Sequence, residues 1–107
     1  MEHKLTYKLL SHDQSSSDYS WLNIDCGKCR VGKVRGMING KTLIVNSINI
    51  FPEFNGHGYA KNTIDMFKNS FNTIIADRVR YSAIGFWEKM GFKNTNDGGY
   101  SWCKNKE

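Results

Sequence analysis

The stretch "KTLIVNSINIF", residues 41 to 51, constrains the fold of this chain more than any other. It is nearly apolar on both faces, and strands of that kind lie in the centre of a sheet. A polar loop with glycines at 56 and 58 follows at once, and then "YAKNTIDMF". Ala60, Ile64, Phe67 and Phe71 recur at steps of four, three and four, which marks one face of a helix. Amides at a helix start are unpaired and carry the positive end of the macrodipole. Glycines beside them let a diphosphate approach without a Cβ in the way. On "GxG" alone, a plain turn explains the two glycines better than an anion does.

The rest of the chain supplies the sheet. "KLTYKLL" (4–10) and "YSWLNIDC" (19–26) suit strands, separated by the polar, serine-rich stretch 11–18. Gly27-Lys28 fits a two-residue turn into "CRVGKVRGMI", and Asn39-Gly40 is the strongest short hairpin signal. "NTIIAD" (72–77) is a short buried strand. In "YSAIGFWEKMGF", Ala83, Phe86, Trp87 and Met90 share one helical face, and Gly91 suits a left-handed cap. A last hairpin runs from Phe92 through Asp97-Gly98-Gly99 to "YSWCK". The expected order is ββββαβαββ: an α/β fold with a mixed, mostly antiparallel sheet and two main helices, in a single domain spanning 1–107.

Several function classes fall away. A Walker loop needs Gly-Lys-Ser/Thr, which is absent, and a dinucleotide fingerprint needs a third glycine where Lys61 stands. Asp77 imitates that fingerprint's ribose-binding acid, but a short chain built on hairpins cannot form a doubly wound parallel sheet. Cys26 and Cys29 have CxxC spacing, yet a second CxxC or a close His pair is missing, so no metal site is expected. The turn between them makes them neighbours across a strand pair. No apolar run reaches the length of a membrane span and the N-terminus lacks an apolar leader stretch, so a cytoplasmic location is the expectation. Fifteen Lys and Arg against ten Asp and Glu give a net charge of +5. Lys28, Arg30, Lys33 and Arg35 would be the best nucleic-acid contacts. Strand alternation breaks between Arg30 and Lys33, so they should not share a face, and a solvated basic edge strand explains them more cheaply.

Two motifs carry a resemblance. "INIFPEFNGHGYA" resembles the central motif of the GNAT acetyltransferase superfamily, with Ile48, Ile50 and Pro52 at the strand end and Gly56, Gly58 and Ala60 in the loop. Asn55 departs from the usual Arg or Gln. "AIGFWEKMGF", 83 to 92, is similar to the second motif, closest to its histone-acetyltransferase branch. The resemblance covers residues 41 to 104; before them the region is shorter than in the family, which normally has one or two helices there.

That resemblance implies an acetyl-CoA-dependent N-acetyltransferase with acetyl-CoA as cofactor. It implies that backbone groups of Ile48, Asn49 and Ile50 pair with the pantetheine arm. Amides from Asn55 through Gly56, His57, Gly58, Tyr59 and Ala60 to Lys61 would cradle the pyrophosphate, and Ala83 and Phe86 would pack along the cofactor. The family's carboxylate base on the fourth strand is replaced by Asn46 and Ser47, and its tyrosine acid by Trp87. Tyr81 is the nearby phenol and the candidate acid. A lysine-like amine is neutral about one time in 2,500 at pH 7, a cost of roughly 4.6 kcal/mol, whereas protonating a departing thiolate is favourable by roughly 2 kcal/mol. A base matters more than an acid. Missing N-terminal helices would leave the acceptor side open, which suits a protein or peptide lysine better than a small amine. A CoA-binding module without turnover is the alternative.

Overall fold

The computed structural model describes residues 5–9 and 20–104, so the serine-rich stretch 11–18 lies outside the described residues. Seven strands form one sheet: β1 (Leu5–Leu9), β2 (Ser20–Cys26), β3 (Cys29–Asn39), β4 (Thr42–Ile50), β5 (Thr73–Ala76), β6 (Lys93–Asn94) and β7 (Tyr100–Cys103). Helices α1 (Tyr59–Ser70) and α2 (Ile84–Lys89) complete the expected order. The sheet order is β1-β2-β3-β4-β5-β7-β6, with every pairing antiparallel except β4–β5. The apolar strand β4 is the middle of the seven, and its fully buried residues, Leu43 and Val45, lie on one face.

Alternation and cross-strand register place the buried side chains on one face. Leu22, Ile24, Val34, Leu43, Val45, Ile74, Ala76 and Tyr100 form that face, and α1 covers it with Ile64 and Phe67. Tyr7 of β1 meets Phe67 edge-on at 5.2 Å, which ties the first strand to the helix. Trp87, Met90 and Phe92 extend the same core at the far end, and the Trp87 and Phe92 rings meet at a tilt with centroids 4.8 Å apart. Lys68 of α1 reaches across to donate to the Met90 carbonyl, and its ammonium lies 5.3 Å from the Trp102 ring. Both helices therefore pack on one face; among the described residues, no helix covers the other.

Two hairpin details follow from local chemistry. Cys26 and Cys29 pair directly across the Gly27-Lys28 turn, as the sequence suggests. The second turn sits one residue later than expected, at Gly40-Lys41, because Asn39 pairs with Thr42 and Gly40 takes the left-handed conformation with φ 63°.

Candidate cofactor cleft

The site is made by a bulge. Gly36 pairs with Val45 and Arg35 with Ser47, so Asn46 is an extra residue on β4. A bulge bends its strand and ends regular pairing locally. The parallel ladder between β4 and β5 accordingly stops there: Val45 faces Ala76, and the Asp77 amide donates to the Val45 carbonyl at 2.9 Å. Beyond that bond, β4 continues to Ile50 with β3 alone. The two strands part around a cleft of about 510 Å³. Its β4 wall is Asn46, Ser47, Ile48 and Asn49; its other wall is Asp77 to Arg80, closed by Ala83 and Trp87.

Past Ile50 the chain is held by the other bulge of the sheet. Ile24 pairs with Gly32 and Asp25 with Arg30, which leaves Val31 unpaired on β3. The Val31 carbonyl accepts from the Phe51 amide at 2.9 Å and fixes where the glycine loop begins. A tight turn over Pro52–Phe54 follows, then Gly56 and Gly58 with φ of 86° and 76°. A Cβ at either position would meet nothing within 4 Å, so dihedral preference demands glycine there and open space lies beside the backbone. Gly58 caps α1 without a side-chain acceptor, and the first turn holds no acidic residue. Its amides are left for an outside acceptor.

The Tyr59 side chain does not join this shelf. Its phenol is held above the ordinary value, chiefly by a hydrogen bond with Cys26 and then by burial. The ring packs between His57 at 5.7 Å and Phe54 at 6.2 Å. Tyr59 thus pins the start of α1 to the β2–β3 hairpin, and only its amide is offered to a ligand. Lys61 is engaged with Asp65 at 2.9 Å on the exposed helix surface.

Neither the family models nor the curated proteins match this chain. Solved structures do match. A GNAT family acetyltransferase from Elizabethkingia anophelis with acetyl-CoA bound aligns with a TM-score of 0.61 and 11% identity, covering 94% of this chain and 98% of that one. YhhK from E. coli, bound to coenzyme A, aligns at 0.66 and 14%, covering 96% and 99%. The chain has the GNAT acetyltransferase fold. An acetyltransferase from Thermus thermophilus aligns at 0.64 and 15% identity, over 82% of this chain. The chain spans just under two thirds of that protein, 66% of its length.

Within the GNAT fold, the expected site residues separate into groups. Ile48, Asn49 and Ala83 line the cleft. Asn55 to Lys61 form the shelf at the start of α1, one strand-end away, and Ile50 leads into it. Phe86 is half-buried against Trp87, edge-on at 5.1 Å, and is not part of the cleft wall. Tyr81, the expected acid, is 91% exposed on the turn before α2 and is also absent from the wall. Its position on a single 3-10 turn, Tyr81–Ala83, points the phenol to solvent rather than to the cleft.

Asp77 is the carboxylate of the cleft wall, and Arg78 and Arg80 are its cations. Sequence reasoning treats Asp77 only as a decoy of another fold. Its place at the carboxyl end of β5, beside a parallel partner, is the available signal, since ligands of α/β sheets gather at such ends.

Proposed function

We propose that this protein is an acetyl-CoA-dependent N-acetyltransferase acting on a primary amine, more suited to a protein or peptide lysine than to a small molecule. The observation that carries the reading is the parting of β4 from β5 at the Asn46 bulge, beside a glycine shelf with unpaired helix amides. At about 510 Å³ the cleft is in the size range of ligand pockets, and the shelf offers donors for two phosphates. Acetyl-CoA bound in GNAT-fold structures supports the same assignment. The likeness of the second motif to the histone-acetyltransferase branch supports a polypeptide acceptor.

Acetyl-CoA would supply the activated acyl group, held by the β4 edge at Ile48 to Ile50 and by the amides from Asn55 to Lys61. The residues of this chain then orient the acceptor and move its proton. The amine nitrogen bonds to the acyl carbon as the carbon–sulfur bond breaks. Asp77 takes the ammonium proton before attack, directly or through one water, and so meets the larger of the two proton costs; the second N–H proton leaves to solvent as the amide forms. Arg78 and Arg80 offset charge developing at the carbonyl oxygen and the sulfur. Solvent returns a proton to the thiolate, which is downhill at neutral pH, so no phenol is needed at the position of Trp87.

Binding without turnover is the second reading, favoured by the absence of a carboxylate at Asn46 and Ser47 and by the exposure of Tyr81. Incubation with acetyl-CoA and a mixed lysine-peptide library, followed by free-thiol release, separates the two. Thiol above the no-peptide background is the expected result. CoA binding with no thiol above background would sink the enzyme reading and leave the binding module.

A further inference from the structure

The face of the sheet that no helix covers among the described residues is cationic, and a bulge makes it so. The extra residue Val31 resets alternation on β3, so the expectation that Arg30 and Lys33 fall on opposite faces is wrong. Arg30, Lys33 and Arg35 pair with Asp25, Asn23 and Trp21, which alternate along one face of β2. Lys8 pairs with Asn23 and joins them. β3 is also an interior strand, third of seven, so Arg30, Lys33 and Arg35 do not guard a sheet edge. On the other side, Lys33 pairs with Asn49 and Arg35 with Ser47, and both partners line the cleft. The basic face therefore runs without a break into the mouth of the site. Asp25 offsets part of it by bonding Arg30 at 2.8 Å.

We infer that this face docks an acidic polypeptide segment flanking the acceptor amine, so that the preferred substrates carry their lysine among Asp and Glu. This rests on the acetyltransferase reading for the amine itself, but the docking surface stands on charge and register. Arg30, Lys33 and Arg35 follow one another along β3, with Lys8 two strands away across Asn23, and they complement an extended acidic chain whose alternate carboxylates repeat on the same strand spacing. The same field repels free polyamines and basic peptides. A nucleic acid is the weaker fit. Single strands bind on rows of stacking aromatics, and the exposed aromatic of this face, Trp21, already carries the Lys33 ammonium 4.4 Å from its ring centre.

The test uses the full chain and labelled short peptides with one lysine, flanked by Glu and Asp, by Gln and Asn, or by Lys and Arg. A single-stranded oligonucleotide of equal charge is the fourth probe. Anisotropy should rank the acidic peptide first, with affinity that falls as salt rises. Lys8→Gln and Lys33→Gln should each weaken it about twofold to fivefold, and Lys8→Glu with Lys33→Glu about tenfold or more. Calorimetry with CoA in the same samples should be unchanged by these variants, which also controls for folding. Equal binding of the neutral peptide, preference for the basic one, or tighter binding of the oligonucleotide would overturn the inference. Loss of CoA binding in the parent, with acidic-peptide binding intact, would instead overturn the acetyltransferase reading alone.

Discussion

Replacing Gly36 by Ala probes the bulge that opens the cleft. Gly36 is buried opposite Val45, and a Cβ there would stand 2.7 Å from the Ile44 carbonyl oxygen. That oxygen belongs to the backbone of the central strand, so it cannot swing aside as a side chain would. The β3–β4 ladder must shift by several tenths of an ångström at the point where β4 leaves β5. Overpacking of this kind costs about 1–3 kcal/mol, while Gly→Ala lowers unfolded-chain entropy and returns about 0.4–1 kcal/mol. A net loss of about 1–2 kcal/mol corresponds to a fall in Tm of roughly 5–15 °C for a domain of this size. Gly85→Ala is the matched control. Gly85 lies in α2, and an added Cβ meets nothing within 4 Å, so helix propensity should raise stability by about 0.5–1 kcal/mol. Thermal denaturation followed by circular dichroism reads both. Equal Tm values for Gly36→Ala and the parent would refute the steric reasoning, and with it the claim that the bulge geometry is fixed by a close backbone approach.

Further outcomes follow from individual residues. Asp77→Asn should lower kcat by about 10²–10⁴ with CoA affinity retained, whereas Tyr81→Phe should change it less than about twofold; thiol-release assays with each variant check the assignment. Thr63 is fully buried in α1 and its hydroxyl has no hydrogen-bond partner among the described residues, so Thr63→Val should be neutral or stabilising by about 1 kcal/mol in urea denaturation. The Asp97 carboxyl is held below its usual value, mainly by the Thr95 hydroxyl and also by the Gly99 amide. A depressed carboxyl adds stability above its unfolded value, near 3.8, that is lost as pH falls through the folded value. Thr95→Val should therefore shrink the difference in Tm between about pH 6 and pH 3. The Tyr100 phenol is held above its usual value, first by burial and then by Glu88, so its contribution is present below about pH 10 and lost at higher pH. Tyr100→Phe should flatten the alkaline end of the stability profile.

Much of the fold was legible because its signals are local. The two-residue turn at Gly27-Lys28, the helical spacing of Ile64 and Phe67, and the continuous apolar run of β4 each state their own geometry. The bulges at Val31 and Asn46 were not legible. Each depends on how one strand meets its neighbour, and no residue at either position announces an extra pairing step. Both places where the structure departs from the sequence reading come from this source. Unbroken alternation along β3 separates Arg30 from Lys33, and without the Asn46 bulge there is no reason to place Asp77 in a cleft. The glycine shelf lies between these cases. Gly56 and Gly58 could be identified as left-handed positions, but their open surroundings depend on where the Val31 carbonyl anchors Phe51. Tyr81 is the opposite case: proximity in sequence to the second motif suggests an acid, and the structure sets it on a single 3-10 turn, 91% exposed.

The central claim is that the parted strands and the glycine shelf together hold CoA. Titration of the ¹⁵N-labelled protein with CoA, followed amide by amide, tests it most directly. The largest shifts are expected at Gly56 to Lys61 and at Ser47 to Asn49, with Ala83 also moving and the β1–β2 end of the sheet unchanged. Shifts confined to the basic face around Lys8 and Lys33, or no saturable shifts at millimolar CoA, would contradict it.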